Sequence, residues 1–134
     1  MAPLSRPDPA PAAPQLRALR GATTVAADER EAVSEAVAEL LATLVTENAL
    51  APDDVLSAIF SATPDVHALY PAAVARALGW HDVPMLCVTE MDVPGAPGLC
   101  IRVLLHLAIP FGRRLKPAYL RGAVVLRPDL ASRA

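Results

Sequence analysis

An arginine stands inside an apolar stretch, LCIRVLLHLAI at residues 99–109, that is otherwise typical of a buried β-strand. Burying an unpaired charge costs several kcal/mol, so the guanidinium of Arg102 has to meet an anion from this chain, a partner chain or a ligand. Strand alternation places Arg102 on the same face as Cys100 and His106, whereas the residues between them form an ordinary apolar face. We therefore expect the face that carries Arg102 to line a pocket or an interface.

Glu90 is the acidic residue best placed to meet this arginine. It ends the predicted strand VPMLCVTE and precedes the turn before the Arg102 strand. An ion pair between the two is one interpretation, and a small molecule held between them is another. Three further arginines lie at defined points of the predicted structure. Arg20 precedes a glycine, Arg76 lies within a short predicted helix, and Arg127 precedes a proline. For each of these three, a surface salt bridge is the default interpretation.

The three histidines are weak candidates for catalysis. His67, His81 and His106 have no Ser, Cys or Asp at a spacing that joins a nucleophile to a base. The chain also lacks the G-x-S-x-G motif, the P-loop and the G-x-G-x-x-G motif. Cys87 and Cys100 lack metal-ligand spacing, so no zinc site is predicted. What remains is a cationic, hydrogen-bonding pocket for a small anion.

Composition narrows the class of protein. The chain has 134 residues, enough for one domain, and no apolar run reaches the roughly 18 residues of a membrane-spanning helix. The net charge of −2 argues against nucleic-acid binding. A hydrophobic fraction of 54% predicts leftover apolar surface that identical subunits would cover. Two cysteines without a secretory signal indicate free thiols in the cytoplasm.

Strands and helices alternate along the chain. A strand within QLRALRGATTV precedes a helix that begins with a capping box of Asp28 and Glu31 and ends near Asn48. The strands VLSAIFSAT and VPMLCVT flank a short helix, PAAVARAL, and the last strand is AVVLRP at residues 123–128. The order β-α-β-α-β-β-(α)-β, with one or two helical turns before the last strand, predicts an α/β (α+β) fold. Its mixed β-sheet carries helices on one face.

Proline content separates the N-terminus from the rest of the chain. Residues 1–15 hold five of the 14 prolines and predict a flexible extension, followed by one domain at 16–130 and a C-terminal tail at 131–134. An interaction module built on the extension has little support, because it lacks a clear proline-and-basic ligand pattern.

Five ordered blocks of the sequence resemble the monofunctional α/β class of chorismate mutase, over about residues 16–130. The blocks are LRGATTV (19–25), SATPDVHALYP (61–71), GWHDVPMLCVTEMDV (79–93), CIRVLL (100–105) and VVLRPDL (124–130). The resemblance implies a homotrimeric pseudo-α/β-barrel with active sites between neighbouring subunits. It also implies the Claisen rearrangement of chorismate to prephenate, in phenylalanine and tyrosine biosynthesis, without a cofactor or a metal.

The same resemblance assigns the chemistry to three residues. Arg102 corresponds to the arginine that contacts the ether oxygen and a carboxylate, and Arg20 to the ligand of the side-chain carboxylate. Glu90 corresponds to the group that hydrogen-bonds the ring hydroxyl, together with the position of Cys87. We therefore expect Arg102, Glu90 and Arg20 to be catalytic.

Further substrate-binding positions follow from the resemblance. Tyr119 corresponds to a tyrosine that helps bind a carboxylate, and Arg127 to a C-terminal arginine associated with ligand binding and closure. The pocket wall and its electrostatic support are expected from Tyr70, Ala72, Arg76, Met85 and Leu126.

Three positions depart from the family's pattern. Ala73 stands where the common motif, similar to F-P-A-K, has a lysine, and Leu86 replaces a more polar neighbour of the cysteine. A residue is also missing before Gly79. These departures leave open a second hypothesis, a catalytically silent trimeric binding protein for an aromatic-pathway metabolite.

Overall fold

The structure is a computed structural model that describes residues 13–131. Most of the predicted extension and of the predicted tail lies outside the described residues, and the first strand begins at Pro14, one residue before the stretch predicted to contain it. No helix in the described part of the chain is long and apolar enough to cross a membrane. In chain order, the elements are β1 (Pro14–Thr24), α1 (Arg30–Glu47), a 3₁₀ turn (Pro52–Asp54), β2 (Val55–Ala62), α2 (Pro71–Ala77), β3 (Met85–Thr89), β4 (Cys100–Pro110), β5 (Ala118–Tyr119), a 3₁₀ helix (Arg121–Leu126) and α3 (Pro128–Ala131).

One five-stranded mixed sheet, in the order β3-β2-β4-β1-β5, organises the fold and confirms the predicted class. The middle strand, β4, pairs antiparallel with both β1 and β2, whereas β2–β3 and β1–β5 are parallel pairs. The register places Arg102 of β4 opposite Ala22 of β1 on one side and Ser61 of β2 on the other. Arg102 is therefore fixed on a strand with two hydrogen-bonded neighbours.

The helices α1 and α2 pack on one face of this sheet, as predicted. Apolar residues at helical spacing form the contact surface of α1, because they fall on one side of the helix. The buried residues of α1 are Val33, Ala36, Val37, Leu40, Leu41 and Leu44.

A tight approach between α1 and the sheet occurs at Gly21 in β1. A Cβ atom built there would lie 3.0 Å from the Cδ1 atoms of both Leu40 and Leu44, and 3.2 Å from the backbone oxygen of Ala118. A residue without a side chain therefore lets helix, strand and edge strand meet. Arg20 directly precedes this glycine. The same packing therefore fixes the backbone position from which the Arg20 side chain extends.

The strand alternation predicted for β4 is confirmed. Arg102 and Leu104 are exposed on the side of the sheet opposite to α1 and α2, which we call the open face. The buried residues that alternate with them, on the helix-covered side, are Ile101, Val103, Leu105, Leu107 and Ile109.

The predicted capping box at the start of α1 is wrong. Glu29 precedes the helix in an extended conformation, and no side chain caps the first turn. The Asp28 carboxylate instead accepts hydrogen bonds from the backbone N–H groups of His67 and Ala68, both at 2.8 Å, and so anchors the loop that leads to α2. The predicted end of α1 is confirmed, since Asn48 caps it.

The predicted last strand at residues 123–128 is also wrong. Residues Arg121–Leu126 form a 3₁₀ helix, and the edge position beside β1 is taken by β5. Ala123 is buried in this helix, but Val124 and Val125 are exposed, so the apolar run does not enter the sheet. The helical turns expected just before this segment lie within it.

Leu40 provides a test of the core. Its side chain is fully buried, so Leu40→Ala leaves a cavity and should lower the free energy of unfolding by about 2–5 kcal/mol. Leu78, half exposed at the end of α2, is the matched control, and Leu78→Ala should cost less than about 1 kcal/mol. Chemical denaturation at a fixed protein concentration measures both losses. Equal losses would contradict this assignment of the core.

Candidate active site

Arg102 lies on the open face and not in the core. Its side chain is 44% exposed, and its Nε lies 2.7 Å from Oε1 of Glu90, which confirms the ion-pair interpretation. The expectation that this arginine is buried is wrong for the single chain, because α1 and α2 pack on the other face. Glu90 faces Nε, which carries one of the five N–H groups of the guanidinium. The other four N–H groups are on the two terminal nitrogens, and this edge of the guanidinium is suited to binding a ligand carboxylate.

Glu90 is held beside Arg102 by contacts with β2. Its N–H donates to the carbonyl of Ala62 at 2.9 Å, which continues the β2–β3 pairing past the end of β3. The hydroxyl of Ser61 donates to Oε1 of Glu90 at 3.4 Å, the same oxygen that faces Arg102. Three adjacent strands thus hold a carboxylate and a guanidinium side by side.

A concavity of about 360 Å³, which we call the arginine concavity, opens beside this ion pair. Arg20 and Arg102 from the sheet and Arg127 from the C-terminal segment line it, together with Tyr119. The carboxylates of Glu90 and Asp129 offset part of the positive charge of these three guanidinium groups, whose planar donor sets can bind carboxylates in a fork. The other lining residues are Gly21, Ile59, Ser61, Val103, Leu104 and Leu126.

A second concavity, of about 370 Å³, shares Arg102 and Leu126 with the first. Glu90 lines this one, so the ion pair lies where the two concavities meet. The remaining lining residues are Thr63, Met91, Val93, Ala96, Pro97 and Cys100.

A small apolar cluster attaches the C-terminal segment to the open face. Ala22 and Cys100 from the sheet are buried with Ala123 of the 3₁₀ helix, and Tyr119 and Leu126 pack around them. Burial raises the pKa of the Cys100 thiol, so this group is a neutral packing residue here. The cluster therefore brings the tyrosine and the leucine of the segment to the rim of the arginine concavity.

Polar contacts secure the start of the same segment. The N–H of Gly122 donates to the hydroxyl of Thr24 at 3.0 Å. Arg121 adopts a left-handed conformation at φ 52°, and its Nε lies 3.3 Å from a carboxylate oxygen of Glu39 in α1. These contacts join the segment to both the first strand and the first helix.

Arg127 is ion-paired within its own turn. Its Nε and Nη2 donate to the two carboxylate oxygens of Asp129 at 3.1 and 2.9 Å. These hydrogen bonds raise the pKa of the Arg127 guanidinium above its ordinary value. The side chain therefore stays cationic at the rim of the concavity.

Two predicted site residues lie on the opposite side of the sheet. Met85 and Cys87 in β3 pair with Ala58 and Phe60 of β2 and pack against the helix-covered core. Within one chain they therefore face away from Arg102. Cys87 is not brought together with Glu90 on one face within this chain, although the sequence resemblance predicted that both bind the same hydroxyl.

Three more predicted site residues belong to α2 and the residue before it. Tyr70 is 71% exposed, Arg76 is exposed in the last turn, and Ala72 is buried. Neither α2 nor β3 contributes a lining residue to the arginine concavity. We call the five predicted site residues from α2, the residue before it and β3 the edge group: Tyr70, Ala72, Arg76, Met85 and Cys87.

Five lining residues are not among the predicted ones, and two of them, Ser61 and Ile59, come from β2. Their alternation in β2 shows that they share a face, but only the pairing of β2 with β4 shows that this face is the one with Arg102. His106 lies on the same face, where its Nδ1 is 3.1 Å from the hydroxyl of Ser57. Among residues 13–131, no cluster of three His, Cys, Asp or Glu side chains could hold a metal ion.

Comparisons with known proteins assign the chain to a family. The family model for chorismate mutase type I matches residues 16–130. The chorismate mutase AroH of Bacillus subtilis (strain 168) is 42% identical over 118 residues, which cover 87% of this chain and 93% of that protein. The chorismate mutase AroH of Thermus thermophilus is 41% identical over 119 residues, which cover 87% and 98%. The chain belongs to the chorismate mutase type I family.

A solved structure agrees with this assignment. The chorismate mutase from Clostridium thermocellum superposes with a TM-score of 0.77 at 38% identity, covering 81% of this chain and 98% of that one. The resemblance seen in the five sequence blocks is confirmed, and so is the fold class that it implies.

Proposed function

We propose that this protein catalyses the Claisen rearrangement of chorismate to prephenate, a step of phenylalanine and tyrosine biosynthesis. The observation that carries the proposal is the meeting of Arg20, Arg102 and Arg127 at one concavity, with Glu90 paired to the central arginine. Chorismate carries two carboxylates, and guanidinium groups bind carboxylates in a planar, two-point fashion. The two free cysteines fit a reducing cytoplasm.

The lack of a nucleophile–base pattern in the sequence fits this reaction. The rearrangement is unimolecular and pericyclic, so the protein need not accept a proton, a hydride or a phosphoryl group. Its contribution is to hold a rare, chair-like conformer of the substrate and to complement the transition-state charge. Arg20 and Arg102, fixed by adjacent strands, serve as the two clamps.

Arg102 also stabilises the charge that moves during the reaction. The C–O bond breaks ahead of C–C bond formation, so the ether oxygen gains negative charge in the transition state. A fixed donor at such an oxygen typically contributes about 3–4 kcal/mol, or about 10²–10³ in rate. Glu90 orients the guanidinium through Nε and complements the positive character of the ring, while it binds the ring hydroxyl.

A homotrimer with sites between subunits accounts for the edge group. The open face exposes Leu104 on β4 and Leu86 and Val88 on β3, an apolar surface that a second copy of the chain would cover. The edge group lies away from the arginine concavity of its own chain. We infer that its accessible members, above all Tyr70 and Arg76, complete the concavity of a neighbouring subunit, which would also bury Arg102 further.

The departures that motivated a silent binding protein lie outside the arginine concavity. Ala73 is on α2, and Leu86 is exposed on β3. Neither lines the concavity, which keeps its three arginines and Tyr119. The enzyme is therefore the single function that we propose.

Loss of chorismate absorbance on adding the purified chain tests the activity. Arg102→Ala should lower kcat by at least about 10³, because it removes a charged donor, which stabilises the transition-state oxygen more than a neutral donor does. Arg30→Ala, at the exposed start of α1, is the matched control and should retain wild-type kcat. Activity of Arg102→Ala within tenfold of wild type would refute the role, and an inactive wild-type chain would refute the function.

Arg127→Ala should separate binding from chemistry. Because Arg127 lies at the rim and is held by its own ion pair, its loss should raise KM more than it lowers kcat. Steady-state kinetics over a wide range of chorismate concentration measure both constants. A pure kcat defect would contradict this assignment.

Mixed trimers test whether sites form between subunits. The variants Arg102→Ala and Arg76→Ala should each have low activity alone. In a mixed trimer, however, an Arg76→Ala subunit can supply Arg102 and its Arg102→Ala neighbour can supply Arg76, which gives an intact site. Co-refolding equal amounts should restore about a quarter of the wild-type sites, as random assembly into a closed ring predicts. If the mixture shows only the mean activity of the two variants, each site lies within one chain.

A further inference from the structure

The carboxylate of Asp65 joins the loop after β2 to the start of β4. Its Oδ1 and Oδ2 accept the N–H of Leu99 at 3.0 and 2.9 Å, and Oδ1 also accepts the hydroxyl of Thr63 at 2.5 Å. The hydrogen bond from Thr63 lowers the pKa of the Asp65 carboxyl below its ordinary value. At neutral pH the group is therefore ionised and acts only as an acceptor.

Thr63 closes the end of the β2–β4 ladder. It is buried, its hydroxyl accepts the N–H of Cys100 at 2.9 Å, and its own N–H donates to the carbonyl of Cys100 at 3.0 Å. The Thr63 hydroxyl thus accepts a hydrogen bond from β4 and donates one to Asp65. Together, these bonds fix the first residue of β4.

The backbone at this junction is held in an unusual conformation. Leu99 has a positive φ of 46°, which a side chain disfavours, and its carbonyl accepts the N–H of Val25 at 2.7 Å. A Cβ atom at Gly98 would lie 2.7 Å from Oδ2 of Asp65, so the glycine permits the close approach of the carboxylate. Such a conformation persists only where its surroundings over-determine it.

The same junction borders both members of the catalytic ion pair. Ala62, which precedes Thr63, accepts the N–H of Glu90 at 2.9 Å. Arg102 follows Cys100 by two residues on β4. A shift of either strand end would therefore change the 2.7 Å contact between Glu90 and Arg102.

We propose that Asp65 and Thr63 form a latch that positions Arg102 and Glu90 for the reaction. This inference rests on the proposed function, and Asp65 is a positioning residue that touches neither the substrate nor the reacting atoms. The latch aligns the guanidinium with the ether oxygen by fixing where β4 begins.

Single variants give the first measurement. Asp65→Asn replaces one acceptor oxygen by a donor, and Thr63→Val removes the hydroxyl, so each should lower kcat about tenfold or more. Thr63→Ser keeps the hydroxyl and should restore kcat to within about threefold of wild type. Asp54→Asn is the matched control, because Asp54 also accepts a backbone N–H, from Ala51 at 2.7 Å, but away from the site. Wild-type kcat in Asp65→Asn would overturn the latch.

A double-mutant cycle separates positioning from general stability. The variant Arg102→Lys lacks the guanidinium that the latch is proposed to align. In that background, Asp65→Asn should therefore lower the residual kcat by less than about twofold. A loss of folded protein would reduce kcat by the same factor in both backgrounds. Equal factors in the two backgrounds would overturn the proposal.

An observation without substrate distinguishes the latch from the function. The Nε–H resonance of Arg102, assigned by its absence in Arg102→Lys, should be sharp in the isotope-labelled wild type, because Glu90 faces it. It should broaden in Asp65→Asn and stay sharp in Asp54→Asn. A resonance unchanged in Asp65→Asn would overturn the latch, whereas latch-dependent broadening in a chain that does not convert chorismate would overturn only the proposed function.

Discussion

The ion pair between Glu90 and Arg102 depends on the different packing of the two faces of one sheet. The helix-covered face takes the apolar residues of β4, so the residues between them are turned to the other side. There a guanidinium keeps contact with water and gains a carboxylate partner, which avoids the large cost of desolvating an unpaired charge. The alternation that builds the core therefore also sets the position of the Arg102 guanidinium.

Patterns that repeat within one element were predictable from the sequence. The alternation in β4 and the helical spacing in α1 each report on a single element, and both predictions are confirmed. The errors concern choices between local and distant partners. The sequence pattern predicted that Asp28 caps the nearby helix α1. Its carboxylate instead accepts a hydrogen bond from the backbone N–H of His67, in a distant loop. The apolar run around Val125 matched a strand, yet the edge beside β1 was already occupied.

The site could be predicted in part for the same reason. The sequence blocks identified the arginines, but the sharing of a concavity by Arg20 and Arg127 required the register of β1 and the fold of the C-terminal segment. Ser61 was not predicted, because it lies next to Arg102 only through the pairing of β2 with β4. The exposure of Arg102 was missed because a strand pattern does not say which face a helix covers.

The attachment of the C-terminal segment has a consequence for the width of the arginine concavity. From Ala118 onward, the chain meets the sheet through a two-residue edge strand and a cluster of small side chains that includes Ala22 and Ala123. Because small side chains let the segment lie close to the sheet, a bulkier residue at Ala22 or Ala123 would displace Tyr119 and Leu126 and so change the width of the cleft mouth.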